Sequence, residues 1–75
     1  MSLNAHTAKA LKKTRERMGV TAQALADGMG IALDTLYKLE GGRSNIHQRH
    51  IELASEPLGY TPLGLLRELA RSEHE

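Results

Sequence analysis

Helix-breaking residues occur at short, regular intervals along this chain. They stand at Gly19, Gly30, Gly41, Gly42, Pro57, Gly59 and Pro62. The intervals between them are roughly ten residues long, and their apolar residues recur at helical rather than alternating spacing. The β-branched residues are scattered and do not cluster into strands. The sequence therefore predicts an all-α fold, a compact bundle of five short helices.

The size of the chain restricts what such a bundle can do. Its 75 residues leave room for one domain, which we expect to span residues 1–75. Apolar residues make up 40% and charged residues 25%, a balance typical of a folded globular protein. No apolar run approaches the ~20 residues that span a bilayer. We therefore expect a protein of the cytoplasm that makes no membrane contact.

Capping residues and apolar spacing place the helices at about residues 5–18, 22–29, 33–40, 47–56 and 62–71. Asn4, Thr21 and Thr61 can act as N-caps, and Pro62 takes the first position of the fifth helix, which proline favours. Gly30 can end the second helix in the left-handed conformation. Gly28, inside that helix, is expected to cost roughly 1 kcal/mol relative to alanine.

The apolar face of each helix predicts the core. In the first helix Arg15 lies in the same sector as the inward residues, which are Thr7, Ala8, Leu11, Thr14 and Met18. Its other cations face outward, either as solvated surface or as a surface for a polyanion: Lys9, Lys12, Lys13 and Arg17. The apolar arc of the fifth helix is wider than a small core needs, and Glu68 is expected on the opposite face. This arc contains Leu63, Leu65, Leu66, Leu69 and Ala70.

Several of these residues form an ordered pattern. Leu-x-x-x-Arg is followed by a threonine that opens a helix, Leu-Ala, a glycine turn, an inward aliphatic pair and Glu-x-Gly. The pattern comprises Leu11, Arg15, Thr21, Leu25, Ala26, Gly30, Leu36, Leu39, Glu40 and Gly42. With this order and spacing, the sequence from Leu11 to Leu66 resembles the lambda-repressor-like helix-turn-helix domains of the Xre type. The resemblance implies a helix-turn-helix at residues 21–40 and a partly buried ion pair between Arg15 and Glu40.

The resemblance also implies a DNA-binding surface, because helix three of this family enters the major groove while nearby segments contact phosphates. Base contacts are then expected from Ala32, Leu33, Asp34, Tyr37 and Lys38. Phosphate contacts are expected from Thr21, Gln23, Arg43, Ser44 and Asn45. Other roles remain open for the first set: Asp34 and Lys38 can pair with each other, Leu33 can cover the core, and Tyr37 can lie on the surface.

These expectations combine into one function. The chain is predicted to be a small repressor-type transcriptional regulator that binds double-stranded DNA sequence-specifically, with residues 33–40 as the recognition helix. A two-fold symmetric operator implies a homodimer, joined through the leucines of the fifth helix: Leu63, Leu65, Leu66 and Leu69. The alternative is a protein-interaction module of the same fold, an antitoxin or accessory subunit, with weak or no sequence-specific DNA binding. The alternative to the dimer is a monomer that buries the leucine arc in its own core.

The remaining chemistry-bearing residues suggest no active site. The histidines are expected on the surface, because the sequence has no cysteine and no inward carboxylate near them to complete a metal site: His6, His47, His50 and His74. Neither a paired nucleophile and base nor a cofactor motif is present. The sequence therefore predicts a protein that is not an enzyme and needs neither a metal nor a cofactor.

Overall fold

The computed structural model describes the backbone of residues 3–71 and the side chains of residues 5–71. Within this part of the chain there are five α-helices and no strand, which confirms the predicted all-α fold. Their bounds are α1, Leu3–Arg17; α2, Ala22–Met29; α3, Leu33–Glu40; α4, Gln48–Ser55; and α5, Pro62–Arg71. His74 lies outside the described residues.

Two helices differ from their predicted bounds. α1 begins at Leu3, so Asn4 lies inside the helix and is not its N-cap. The same helix ends at Arg17 because Gly19 takes a left-handed φ of 74°. Met18 therefore lies in the turn and is 46% exposed, which corrects its predicted place in the core. α4 is shorter at both ends than predicted, since His47 is its N-cap and the residue after Ser55 is its C-cap.

A tight turn joins α2 to α3. Thr21 caps α2, because its Oγ1 accepts a hydrogen bond from the Ala24 amide at 3.1 Å. Gly30 ends the helix at φ 73°, a conformation that costs glycine no steric penalty. The amide of Ile31 then donates to the Ala26 carbonyl at 3.0 Å. The chain thus changes direction within three residues, and α3 packs against α2.

The core is built from aliphatic side chains of all five helices and the loop before α5. Its largest fully buried members are Leu11, Leu25, Leu36, Leu39, Leu58 and Leu65. α1 packs against α3 and α5, α2 packs against α3 and α4, and α4 packs against α5. The inner face of α3 is therefore held by α1 and α2, while its opposite face is open to solvent.

Gly28 marks a close approach between α2 and the turn that follows α4. A β-carbon built on this residue would lie 2.5 Å from Cγ of Pro57 and 3.0 Å from its Cβ. Contacts of carbon atoms this short are strongly repulsive, so the surrounding structure would have to move. The glycine inside α2 is thus explained by packing against Pro57.

The apolar arc of α5 is divided between core and surface. Leu65 and Leu69 are buried, whereas Leu63 is 57% and Leu66 is 48% exposed. The prediction that all four contact a partner is therefore wrong for Leu65 and Leu69, because both already lie in the core between neighbouring helices. Ala70, placed in the same arc, is exposed.

Glu68 also differs from its predicted outward position. Its side chain is mostly buried, and its Oε2 accepts hydrogen bonds from Arg17 at 2.7 Å and from Arg71 at 3.2 Å. The carboxylate therefore links the end of α1 to α5. Thr61 caps α5, since its Oγ1 accepts from the Gly64 amide at 3.0 Å.

Candidate functional site

An ion pair between α1 and α3 sets the orientation of α3. Nε of Arg15 donates to Oε2 of Glu40 at 2.7 Å, and Nη2 donates to Oε1 at 3.2 Å. Nη1 of the same arginine donates to the Val20 carbonyl at 3.0 Å. Both charged residues are buried, with 8% and 7% of their surface exposed. The hydrogen bonds that Arg15 donates to the Glu40 carboxylate raise the pKa of Arg15 above its ordinary value.

The outward face of α3 contains most of the residues predicted to contact bases. Asp34, Tyr37 and Lys38 are exposed, and Ala32 is the exposed N-cap of the helix. Leu33 is half-buried and packs against the core, so part of its surface is unavailable to a ligand. Thr35 is exposed on the same face and was missed by the sequence analysis, although it lies directly beside Asp34.

Asp34 and Lys38 form an ion pair on this face. Their Oδ2 and Nζ atoms are 3.2 Å apart, and the two side chains are 78% and 50% exposed. The two charges partly neutralise each other in the free protein. Exposed ion pairs contribute little free energy, so either partner can exchange its contact for another one.

The first turn of α2 presents the other predicted residues. Thr21 uses its hydroxyl as the cap of the helix. Nε2 of Gln23 donates to Oδ1 of Asp27 at 2.9 Å, so this side chain lies along its own helix. Both residues are exposed. Both side chains therefore lie on the surface and are hydrogen-bonded within their own helix. A ligand would either form additional hydrogen bonds with them or replace the existing ones.

The loop after α3 folds back onto the end of that helix. The amides of Arg43 and Ser44 both donate to the Lys38 carbonyl, at 2.9 and 3.2 Å. An open cleft, called here the α3–α4 cleft, lies between α3, this loop and the first turn of α4. The structure thus brings the predicted loop residues beside α3, together with residues of α4. Polar residues lining the cleft are Thr35, Arg43, Ser44, Asn45, His47, Arg49 and His50.

Comparison with known proteins agrees with this geometry. The family model described as helix-turn-helix matches residues 11–65. The protein belongs to the Xre/lambda-repressor-like helix-turn-helix family. Its helix-turn-helix consists of α2, the turn at Gly30 and α3, and domains of this family bind DNA and are typically not enzymes.

Two crystal structures of the clp gene regulator ClgR from Corynebacterium glutamicum are similar to this helix-turn-helix protein. The first has a TM-score of 0.83 at 27% sequence identity and covers 99% of this chain and 79% of that chain. The second has a TM-score of 0.82 at 28% identity and covers 96% of this chain and 94% of that chain. No match was found among curated protein sequences.

Between Leu3 and Arg71, none of the helices has the length and apolar character that crossing a bilayer requires. No cluster of histidine, aspartate and glutamate that could hold a metal ion is found among the described residues.

His50 differs from its predicted exposed position. Only 9% of its surface is exposed, whereas His6 and His47 are exposed as expected. Nδ1 of His50 accepts a hydrogen bond from the His47 amide at 2.9 Å and so caps α4. The spacing of three residues between the two histidines was the signal available in the sequence, because side chains at the third helical position reach back to the N-cap amide in capping boxes.

This cap predicts that the stability of the domain depends on pH. Burial, together with the charges of Arg49 and His47, lowers the pKa of His50. The native state therefore favours the neutral ring, whose contribution to stability is present above the unfolded-state pKa of about 6.5 and is lost as the pH falls towards the lower folded-state value. We expect the midpoint of thermal unfolding to fall between neutral and mildly acidic pH, and to fall less in His50→Gln.

Glutamine is the informative replacement because its carbonyl can accept from the His47 amide at any pH. Circular dichroism melts of both proteins over this pH range provide the measurement. Groups that do not interact with His50 titrate alike in both proteins, so the difference between their midpoints reports on His50 and its interaction with His47. Parallel curves for the two proteins would contradict the assignment of the cap.

Proposed function

We propose that the protein is a repressor-type transcriptional regulator of the cytoplasm that binds double-stranded DNA sequence-specifically through α3. One observation carries this proposal: α3 is fixed on its inner side and open on its outer side. Leu36 and Leu39 are buried in the core, and the Arg15–Glu40 ion pair ties the end of the helix to α1. A rigid helix with an exposed polar face is what insertion into the major groove requires. The description of ClgR as a gene regulator supports the same function.

In the proposed complex with DNA, α3 supplies the base contacts. Lys38 can donate to a guanine, Asp34 can accept from a cytosine amino group, and Tyr37 can contact a base edge or a phosphate. Ala32 and the exposed part of Leu33 can pack against thymine methyl groups. The exposed Asp34–Lys38 pair would open on binding at small cost, because both side chains already contact water.

The phosphate contacts would come from the segments on either side of α3. Thr21 and Gln23 lie in the first turn of α2, where free amides and the helix dipole favour an anion. Arg43, Ser44 and Asn45 lie in the loop that folds back on α3. Phosphate contacts of this kind hold the register of the protein on the duplex but do not read its sequence.

We also propose that the protein binds a two-fold symmetric operator as a homodimer. One recognition helix reads only a few base pairs, and a symmetric pair engages half-sites about 34 Å apart. Leu63 and Leu66 remain exposed for this contact, beside a groove between α4 and α5. This α4–α5 groove is lined by Gln48, Ile51, Glu52, Pro62, Leu63 and Leu66. Since α5 packs on α1 and α4, a contact here leaves the outer face of α3 free.

A second candidate function is a protein-interaction module, such as an antitoxin or an accessory subunit. The Asp34–Lys38 pair favours it, because mutual neutralisation leaves the half-exposed Tyr37 as the most prominent group on α3. A face of this composition suits a groove on another protein as well as DNA.

Selection from a random duplex library at near-physiological salt distinguishes the two functions. Enrichment of a two-fold symmetric motif is the expected result and would support a sequence-reading dimer. Retention of duplexes without enrichment, or no retention, would contradict the proposal and favour the protein-interaction module.

Removing two cations of the proposed surface provides a quantitative prediction. Lys38→Ala combined with Arg43→Ala is expected to weaken DNA binding about 10- to 100-fold. The slope of the logarithm of the binding constant against the logarithm of salt concentration is expected to become shallower by about one for each lost phosphate contact. Fluorescence anisotropy titrations with the selected duplex at several salt concentrations measure both effects.

Lys38→Ala and Arg43→Ala are also measured one at a time, and Arg67→Ala is the matched control for each of them. Arg67 is an exposed cation on α5, a helix that packs against α1 and α4. Its removal changes the net charge by the same amount but deletes no proposed contact. If Lys38→Ala and Arg43→Ala weaken binding no more than Arg67→Ala, the proposed DNA surface is wrong.

A further inference from the structure

His50 combines burial with an unused hydrogen-bonding atom. Its Nδ1 accepts from the His47 amide at 2.9 Å. Its other ring nitrogen, Nε2, has no hydrogen-bond partner among the described residues. An imidazole that accepts at Nδ1 in its neutral form carries its proton on Nε2. The cap of α4 therefore fixes the tautomer and makes Nε2 a donor.

The surroundings of this donor are suited to an anion. His50 lines the α3–α4 cleft together with Arg43 and Arg49. Thr35 and Asn45 add polar side chains, and none of the described residues that line the cleft has a carboxylate. His47, at the start of α4, lines the same cleft. Every charged group at the cleft is thus a cation, and the neutral Nε2–H is a further donor among them.

We propose that His50 is a DNA-contacting residue that donates its Nε2–H to a backbone phosphate bound in the α3–α4 cleft. The proposal rests on the DNA-binding function proposed above and adds a residue and a site to it. A phosphodiester fits the position because Thr35, on the outward face of α3, lines the same cleft. With α3 in the major groove, the DNA strand that borders the groove on this side would therefore pass the cleft. His50 would fix the register of the protein on this strand without reading a base.

Substitutions can separate the cap from the phosphate contact. In His50→Gln the carbonyl can accept from the His47 amide and the amide group can donate to the phosphate, so both functions are kept. In His50→Glu the carboxylate keeps the cap but replaces the donor with a negative charge. Gln48→Glu is the matched control, since it introduces the same charge in the same turn of α4 but lies at the α4–α5 groove.

The experiment measures affinity for the selected duplex near neutral pH, with thermal unfolding midpoints as a check on the fold. His50→Gln is expected to bind within about threefold of the unsubstituted protein, and His50→Glu to bind at least about tenfold more weakly than Gln48→Glu. If His50→Glu and Gln48→Glu weaken binding equally, the charge acts at long range and the proposal is wrong.

A measurement on the unsubstituted protein keeps the test valid if His50→Glu does not fold. Nitrogen-15 NMR of the histidine rings reports the tautomer directly. We expect the proton of His50 on Nε2 in the free protein, and a shift and slowed exchange of that proton when duplex is added. A proton on Nδ1, or an unchanged Nε2 signal at saturating duplex, would overturn the proposal. If the unsubstituted protein binds no duplex, the proposed function itself has failed, which is a different outcome from binding without involvement of His50.

Discussion

Replacing Arg15 with methionine is expected to lower the free energy of unfolding by about 3–5 kcal/mol. The substitution leaves the Glu40 carboxylate buried without its two hydrogen bonds, and it also removes the donor to the Val20 carbonyl. Small domains have a total stability of about 5–15 kcal/mol, so much of it would be lost. Chemical denaturation followed by circular dichroism measures the change.

Two further variants test the explanation. Arg17→Met removes a half-exposed arginine from its ion pair with Glu68, which keeps Arg71 as a partner, and is expected to have a smaller effect. Combining Arg15→Met with Glu40→Leu removes both charges, and we expect it to recover most of the lost stability, because no unpaired carboxylate remains. Equal losses for Arg15→Met and Arg17→Met would show that burial of the pair is unimportant.

Gly28→Ala is expected to destabilise the protein by about 1–3 kcal/mol, even though alanine is the better helix former. The added β-carbon would lie 2.5 Å from Cγ of Pro57, so α2 and the turn after α4 would have to move apart. Helix propensity alone predicts the opposite sign, a gain of about 1 kcal/mol. Thermal or chemical denaturation of Gly28→Ala shows whether the free energy of unfolding falls, as the contact with Pro57 predicts, or rises, as helix propensity predicts.

The matched control for propensity is Ala24→Gly, at an exposed position of the same helix. It is expected to lose up to about 1 kcal/mol, which measures the intrinsic difference between the two residues in α2. Pro57→Ala removes Cγ and should reduce the damage caused by Gly28→Ala. A stabilising Gly28→Ala would mean that the turn yields freely and that the contact with Pro57 is not a constraint.

The features that the sequence predicted well are those controlled by local structure. Thr21, Gly30 and Thr61 act within one turn of their own helices, so the bounds of α2, α3 and α5 could be read from cap residues and breakers. The Arg15–Glu40 pair came from the resemblance to a family, because two residues 25 positions apart share no local signal.

The features that the sequence missed depend on which elements become neighbours. A helical wheel grouped Leu63 and Leu66 with Leu65, but only packing against α1 and α4 decides which side is covered. His50 likewise lines a cleft with residues of the loop after α3, and the cost of a side chain at Gly28 depends on Pro57. Sequence spacing contains no information on these distances.

The contribution of α5 to the core has a consequence for synthesis of the protein. Leu65 and Leu69 are buried in the shared core, yet they belong to α5, which is synthesised after the two helices that it packs against, α1 and α4. Until α5 leaves the exit tunnel, the apolar side chains that it covers stay in contact with water. The nascent domain therefore cannot reach its native stability before translation of α5 is complete, and the final step of folding must follow release of this helix.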